Sequence, residues 1–361
     1  MKQLSKWPLI SCFIILIVCI VLPACSGGTT TPTNTSGNTN QQVGIVNIGT
    51  HAIGTYYNIL GTALGKTIEG HTSMKAKVIP LSGPVAWMPM MLTKEMDIGL
   101  CNSTDAFWGY FANQDTFSRI SKGKGFPLRL IMVATGNDVS IAVPNNSGIK
   151  SLKDLKGKRI AGGFTAAPSC QLQMLAALAN VGLTGNDVKL VPVAGPAPAV
   201  RAVIDGQADA SGTVTTGMPE FAELEAAVGA TILPFDTSPE AKARALEQYP
   251  IGWFQQQKGG VYPGIAVDGW FLHYENYVVC REDMPENAVY DILNTMWDNY
   301  KETFPIHIKF VEWTPDTFTS KMQTVPYHPG AIKFFKEKGV WTPEMEKTQQ
   351  SLLAKTVPSF K

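Results

Sequence analysis

Gly44-Ile-Val-Asn-Ile-Gly49, followed directly by Thr50-His-Ala-Ile-Gly-Thr-Tyr-Tyr57, decides the fold of this chain. The first six residues are typical of a short buried β-strand. The next residues form a loop rich in glycine and threonine, and from Thr55 the apolar residues recur at the i, i+3 and i+4 spacing of a helix. The stretch therefore predicts a strand, a tight loop and a helix in direct succession.

The same alternation of strand and helix patterns continues along the chain. Strands are predicted at 75–81, 97–101, 128–134, 140–144, 158–161, 189–193 and 208–212, and helices from 105, over 168–181 and near 199–205. Alternation of this kind predicts an α/β fold with a mostly parallel sheet that is covered on both faces. Such sheets bind ligands at the carboxyl ends of their strands.

The N-terminus has the features of an export signal. Lys2 and Lys6 precede an apolar run over 7–21, which is too short to span a bilayer comfortably, and the run ends at Leu22-Pro-Ala-Cys25. This ending resembles a bacterial lipoprotein signal. It predicts a signal peptide over 1–24, lipidation of Cys25 and a polar, flexible tether over 25–42. The alternative is an uncleaved membrane anchor, and either one places the remainder outside the cytoplasm, in the periplasm or at the cell surface.

Composition and motifs exclude several classes of function. The formal net charge of +1 gives no electrostatic case for nucleic acid. The sequence has no hydrolase, zinc-protease, Walker or dinucleotide motif, and no two of its five histidines have metal-ligand spacing. We therefore expect no catalytic residue, no metal and no cofactor. Cys101, Cys170 and Cys280 allow one disulfide or buried free thiols.

Several segments resemble a known family. Gly54-Thr-Tyr-Tyr57 at the first helix and His328-Pro-Gly-Ala331 near the C-terminus are together specific for the TAXI class of solute-binding proteins. These proteins serve tripartite ATP-independent periplasmic (TRAP) transporters. Weaker matches of the same family lie between them in the expected order, at 96–105, 151–160, 205–210 and 217–219.

The resemblance implies a two-lobed fold of the periplasmic-binding-protein kind (type II), with a ligand cleft between the lobes. Lobe one would comprise 43–135 and 265–361, and lobe two 136–264. The function implied is capture of a small organic carboxylate, which can carry an apolar or aromatic part, and its delivery to the membrane permease of a TRAP transporter. The alternatives are a sensory protein that docks a receptor and an exported hydrolase.

The first loop is the strongest candidate for ligand contact. The N-terminus of a helix offers unpaired N–H groups and the positive end of the helix dipole, and both suit a carboxylate. The candidate contacts are Thr50, His51, Gly54, Thr55 and Tyr56. The alternative is an ordinary helix start in which Thr55 is only the N-cap.

Two further candidate sites follow in lobe one. In the loop at 82–87 the resemblance places Pro84 and Trp87 where much of the family has Ser and Asn, so Gly83 and Trp87 would contact a ligand with an apolar or aromatic part. Alternatively, Trp87 packs in the core. After the strand at 97–101, we expect Ser103 and Thr104 near the ligand and Asp105 as a helix cap.

Lobe two has its own candidates. Thr165 and Ser169 precede or begin a helix that Pro168 opens, and Thr215 and Thr216 precede Gly217-Met-Pro219. Trp270 would line the cleft from a returning strand, or else pack in the core. A role in a cap or a turn is the alternative for each of the threonines and for Ser169. His328 is expected to serve turn formation and not ligand binding.

Overall fold

The computed structural model describes residues 43–165, 167–358 and 360. The predicted signal peptide over 1–24, the lipidation site at Cys25 and the tether over 25–42 lie outside these described residues, so they stay predictions.

Strands and helices alternate as the sequence predicts. The strands are β1 (Ile45–Thr50), β2 (Lys75–Pro80), β3 (Ile98–Asn102), β4 (Leu128–Pro144), β5 (Arg159–Gly162), β6 (Lys189–Pro192), β7 (Ala210–Thr215), β8 (Ala230–Ile232), β9 (Trp253–Gln257) and β10 (Gly269–Arg281). The helices are α1 (Tyr56–His71), α2 (Pro84–Leu92), α3 (Ser103–Phe111), α4 (Asp115–Ile120), α5 (Pro168–Asn180), α6 (Pro196–Ile204), α7 (Pro219–Val228), α8 (Pro239–Gln248), α9 (Glu286–Asn299), α10 (Pro329–Glu337) and α11 (Pro343–Leu353). Short 3₁₀ turns cover Leu152–Leu155, Gly185–Asp187, Tyr300–Thr303, Ile308–Glu312 and Pro315–Thr317.

Local sequence chemistry starts several helices where the sequence predicts. The Thr55 side chain caps α1 by accepting a hydrogen bond from the Asn58 N–H. Pro168 occupies the first turn of α5, where its missing N–H costs nothing. His328 caps α10 by accepting from the Gly330 N–H, which agrees with its predicted role in a turn.

The sheet is mixed and not mostly parallel. Its order is β2-β1-β3-β10-β4-β7-β5-β6, with β8 on β4 and β9 on β10. The outer strands pair in parallel, as helical crossovers require, but β10 runs antiparallel to β3, β4 and β9. The prediction of a mostly parallel sheet was wrong because it took no account of the two central strands. β10 returns from beyond residue 250 into the centre of the sheet, and β4 runs antiparallel to β7 and β8 as well as to β10.

Two long strands join the two ends of the sheet. β4 has 17 residues and covers both strands predicted at 128–134 and 140–144, while β10 has 13 residues. They pair with one another along most of their length, with a register shift between Glu275 and Tyr277. The chain therefore passes between the ends of the sheet through continuous strands.

The buried side chains form two separate hydrophobic clusters. Cluster one takes its residues from Val46 to Ala134 and from Tyr277 to Phe335, together with Ile251. Cluster two takes its residues from Val139 to Tyr274. Below, "half one" and "half two" mean the parts of the fold built around these clusters. The lobe boundaries predicted at 135/136 and 264/265 remain a prediction, and the buried residues between 265 and 274 belong to half two.

Candidate functional site

A cavity of about 320 Å³ opens where the two halves meet. The first residues of α1, α2, α3, α5, α6 and α7 contribute to its wall, so it lies at the helix N-termini that follow the strands. Its polar lining side chains are His51, Thr55, Tyr56, Tyr57, Ser82, Asn102, Asp105, Asn137, Ser169, Cys170, Gln173, Thr213, Thr215, Glu220 and Tyr274. Alanines and prolines at 167–168 and 194–198 supply much of the apolar wall.

The first loop brings an imidazole and two phenols to the cavity. The His51 ring stacks on Tyr57 with 4.3 Å between ring centroids, and Tyr56 meets Tyr57 edge to face. Tyr57 donates a hydrogen bond of 2.5 Å to Asn276 Oδ1, and Tyr56 is hydrogen-bonded to the Thr135 hydroxyl. These bonds fix both phenols to the central strands, so the rings are held in place before any solute arrives.

The start of α3 differs from the prediction. Asn102, and not Asp105, is the N-cap, because its side chain accepts from the Asp105 N–H at 2.7 Å. Asp105 is 4% exposed and lines the cavity. Its Oδ2 accepts hydrogen bonds from Asn102 Nδ2 at 2.9 Å and from Ser169 Oγ at 3.2 Å, so it links the two halves.

Burial dominates the protonation of the lining groups. It raises the pKa of the Asp105 carboxyl to about 7, although the hydrogen bonds from Ser169 and Asn102 oppose the rise. Burial likewise raises the pKa of Glu220 and lowers the pKa of His51 to about 4. At neutral pH His51 is therefore uncharged, and none of the lining residues is a lysine or an arginine.

Four lining residues each keep a buried polar atom without a hydrogen-bond partner among the described residues. The atoms are His51 Nε2, Asp105 Oδ1, Asn137 Oδ1 and Glu220 Oε2. A buried polar group without a partner costs free energy, on the order of 1–3 kcal/mol each. Native structures retain few such groups, and their collection around one cavity is typical of a binding site that a solute completes.

Five of the predicted ligand contacts line the cavity: His51, Thr55, Tyr56, Ser169 and Thr215. Others lie close to it but serve the structure of the loops. Thr50 is buried and accepts from the Asn58 amide, Gly54 is exposed with φ at +84°, and Gly83 packs beside the His51 ring. None of these three residues is part of the lining.

The polar residues Ser103, Thr104 and Thr165 also lie outside the cavity wall. The Ser103 carbonyl accepts from the Thr324 hydroxyl at 2.9 Å, and Thr104 donates to the Tyr249 hydroxyl at 2.7 Å. Thr165 is exposed. Ser103 and Thr104 are the first two residues of α3, one and two residues past its cap.

Trp87 packs in the core and does not contact the cavity. It is fully buried, and its ring lies against Gly49 and Gly99 on adjacent strands. A Cβ atom at Gly99 would lie 2.3 Å from the Trp87 ring, so glycine makes the room that the indole fills. The hypothesis that Trp87 selects an aromatic ligand is therefore not supported. Trp87 is a core residue, which was the alternative interpretation of the sequence.

Thr216 belongs to a buried charged cluster beside the cavity. Its hydroxyl lies 3.4 Å from Asp138 Oδ2. Asp138 also lies 2.7 Å from His273 Nδ1 and 3.8 Å from the Nζ of Lys309, a fully buried lysine. Lys309 is held in turn by Glu312 at 2.8 Å. Lys309 precedes Phe310, a residue of cluster one, whereas Asp138 directly precedes Val139, the first residue of cluster two. The charged cluster therefore joins the two halves.

Trp270 lies on β10 opposite β9, with the Lys242 ammonium 4.6 Å from its ring centroid. It does not line the cavity. The Lys242 contact is a cation–π pair, which gives this indole a partner on the protein.

Sequence reasoning missed ten polar lining residues: Tyr57, Ser82, Asn102, Asp105, Asn137, Cys170, Gln173, Thr213, Glu220 and Tyr274. A signal existed for Tyr57, which stands inside the Gly-Thr-Tyr-Tyr motif, and for Asp105, which follows a buried strand. Asn137 and Tyr274 lie in the middle of β4 and β10, where only the pairing of the two strands shows that they reach the cavity.

The described part of the chain has free thiols, and it has neither a group that could hold a metal ion nor a membrane-spanning helix. Cys101, Cys170 and Cys280 are free thiols. No three His, Cys, Asp or Glu side chains within 43–165 and 167–358 are grouped so that they could hold a metal ion. Within the same ranges, no helix combines the length and the apolar character needed to cross a bilayer.

Comparison with known proteins identifies the family to which this chain belongs. The model of the NMT1-like family matches residues 48–339, which is most of the chain and includes the whole cavity wall. The chain belongs to the NMT1-like family. The α/β fold class that the sequence predicted for this NMT1-like chain is confirmed by its mixed sheet and flanking helices.

Two solved structures illustrate what this NMT1-like chain is similar to. The periplasmic aliphatic sulphonate binding protein SsuA from Escherichia coli is 13% identical, with a TM-score of 0.47, and the match covers 86% of this chain and 99% of that one. PhnD1 from Prochlorococcus marinus, in complex with methylphosphonate, is 12% identical, with a TM-score of 0.48, and the match covers 82% of this chain and 99% of that one.

Proposed function

We propose that this protein is a non-enzymatic solute-binding protein that captures a small organic molecule in the cavity between its halves. The observation that carries the proposal is the cavity of about 320 Å³ with four unpartnered buried polar atoms on its wall. A solute that satisfies these atoms bridges half one through Asp105 and half two through Glu220. It would therefore stabilise the state in which the two halves are closed on each other.

The setting of this function follows from the sequence. The lipoprotein-like signal supports export and attachment through Cys25, outside the cytoplasmic membrane. The Gly-Thr-Tyr-Tyr and His-Pro-Gly-Ala motifs support a TAXI-type partner for a TRAP permease, with the closed, loaded protein as the form that docks. The solute class predicted from the helix N-termini is a carboxylate. The charged residues of the lining, Asp105 and Glu220, are both acidic, so a carboxylate and an amine are the two classes to compare.

The experiment that tests solute capture is a pair of variants in the cavity wall. Tyr56→Phe removes one lining hydroxyl, and Asn137→Leu removes an unpartnered acceptor. Small molecules that copurify with the full-length protein are released by denaturation and identified by mass spectrometry, and rebinding is measured by calorimetry. We expect a copurified or rebinding solute whose affinity falls in both variants. Equal affinity in both variants and wild type would place binding elsewhere and overturn this site.

A further inference from the structure

The wall of the cavity offers hydrogen-bond acceptors and lacks fixed cations. Asp105 is 4% exposed and Asn137 is 2% exposed, and in each the oxygen Oδ1 has no partner among the described residues. One of the two N–H donors of the Asn137 amide is used, since Nδ2 donates to the Tyr274 hydroxyl at 3.3 Å. A third unpartnered oxygen belongs to Glu220. Three of the four unpartnered atoms are therefore oxygens, and a solute that satisfies these three must bring hydrogen-bond donors. The fourth, His51 Nε2, is a donor or an acceptor according to the tautomer.

Two chemical groups can be compared for this role. A protonated amine brings three donors and a positive charge, whereas a carboxylate brings only acceptors and a negative charge. A carboxylate placed among the unpartnered oxygens would leave them unsatisfied and would face two acidic side chains, Asp105 and Glu220, in a buried setting where like charges repel strongly.

We propose that the bound solute presents a protonated amine to Asp105 Oδ1 and Asn137 Oδ1, and that the tyrosine rings and the alanine and proline wall cover an apolar body. This deepens the proposed function and rests on it. Tyr56 and Tyr57 add aromatic surface to the cavity wall, which an apolar body can contact.

One arrangement would allow a carboxylate instead, and it defines the test. Because Asp105 Oδ2 already accepts from Asn102 and Ser169, a proton on this carboxyl would lie on Oδ1, where it could donate into the cavity. Carboxylate binding would then need protonated Asp105 and would weaken as the pH rises. Amine binding needs ionised Asp105 and would strengthen as the pH rises.

The tyrosines and cysteines that face Asp105 do not titrate in the range concerned. The side chains that face it from neighbouring elements are Tyr57 of α1, Cys101 of β3, Cys170 of α5 and Tyr249 after α8, and burial raises the pKa of each above its ordinary value. His51, on the same cavity wall, has a pKa of about 4. Glu220 on the same wall also has a pKa raised by burial. The part of a change in affinity between pH 6 and pH 8 that belongs to Asp105 is therefore the part that Asp105→Asn abolishes.

The experiment uses the full-length protein and three matched sets of small molecules. Each aryl-alkyl or alkyl skeleton is supplied as a primary amine, a carboxylate and an alcohol, and phenethylamine, 3-phenylpropionate and phenethyl alcohol are one such series. Thermal shift identifies the binders, and calorimetry then measures their affinity at about pH 6 and about pH 8, on either side of the Asp105 pKa. The proteins are wild type, Asp105→Asn and Asp115→Asn. Asp115 is a matched control, because it is an exposed aspartate in the first turn of α4 and is not part of the lining.

We expect the amines to bind best. Their affinity should rise about tenfold from pH 6 to pH 8, because the ionised fraction of Asp105 rises about tenfold over that range. Asp105→Asn should weaken amine binding roughly 30-fold or more and abolish the pH dependence, since it removes one partner of a buried charge pair. Asp115→Asn should behave as wild type.

The other outcomes separate this inference from the proposed function. Carboxylates that bind better than their amine counterparts, or that keep their affinity in Asp105→Asn, would overturn the amine while leaving solute capture intact. A preference for the alcohols would do the same. If no set binds and no solute copurifies, solute capture in this cavity fails, and the amine fails with it.

Discussion

Replacement of Asp105 by asparagine should make the solute-free protein more stable at alkaline pH. The pKa of this carboxyl rises from its ordinary value of 3.8 to about 7 in the folded chain. A carboxyl with a higher pKa in the folded state than in the unfolded state favours folding while it is protonated. That contribution is complete below about pH 4 and is lost as the pH rises through about 7.

The size of the effect follows from the two pKa values. A difference of about three between them corresponds to about 4 kcal/mol of folding free energy. Of this, about 2 to 3 kcal/mol is lost between pH 5 and pH 8. Asparagine has the same shape and is never charged, and its Oδ1 can accept from Asn102 and Ser169 in place of Asp105 Oδ2. The variant should escape this loss.

Urea unfolding of wild type and Asp105→Asn, measured at pH 5 and pH 8, tests the reasoning. The stability of the variant relative to wild type should increase between the two pH values by about 2 to 3 kcal/mol. Asp115→Asn is the control, because its exposed carboxyl should show no such change. A difference between wild type and Asp105→Asn that is the same at both pH values would show that Asp105 is ionised at no cost. The account of Asp105 as a carboxyl whose ionisation burial disfavours would then be refuted.

Three further substitutions test the buried contacts. Lys309→Met removes a fully buried ammonium and should cost about 3–5 kcal/mol in urea unfolding, because its acidic partners lose their counter-charge. Gly99→Ala should cost about 1–3 kcal/mol, because the new methyl group would overlap the Trp87 ring, and Gly99→Ala combined with Trp87→Leu should recover part of that loss. Tyr57→Phe should cost about 1–3 kcal/mol and lower the melting temperature, because it leaves Asn276 Oδ1 buried without its donor.

Features set by neighbouring residues could be predicted from the sequence. The strand, loop and helix at 44–57 depend on residues within one or two turns of each other, and so does the helix that Pro168 opens. Their positions relative to the cavity follow from the general rule that helix N-termini gather at the carboxyl ends of parallel strands. The residues His51, Thr55 and Ser169, which the sequence predicts as ligand contacts, therefore lie together on the cavity wall.

Features set by distant pairing could not be predicted in the same way. Trp87 looked like a ligand contact because nothing in its own segment shows that Gly49 and Gly99 come together to hold it. Asn102 and Asp105 are both good N-cap residues, so only the position of the β3 terminus decides which of them caps α3 and which enters the cavity.

The order in which the two hydrophobic clusters occur along the chain has a consequence for how the protein folds. All residues of cluster two lie between Val139 and Tyr274, whereas cluster one needs residues from Tyr277 onward to complete a core begun at Val46. In a chain that emerges from its N-terminus, half two can therefore finish folding first. Until Gly269–Arg281 has followed, β3 lacks its neighbour β10 and exposes an unpaired strand edge. That interval is when the nascent chain is most open to aggregation, and a chaperone that shields Ile98–Asn102 would protect it.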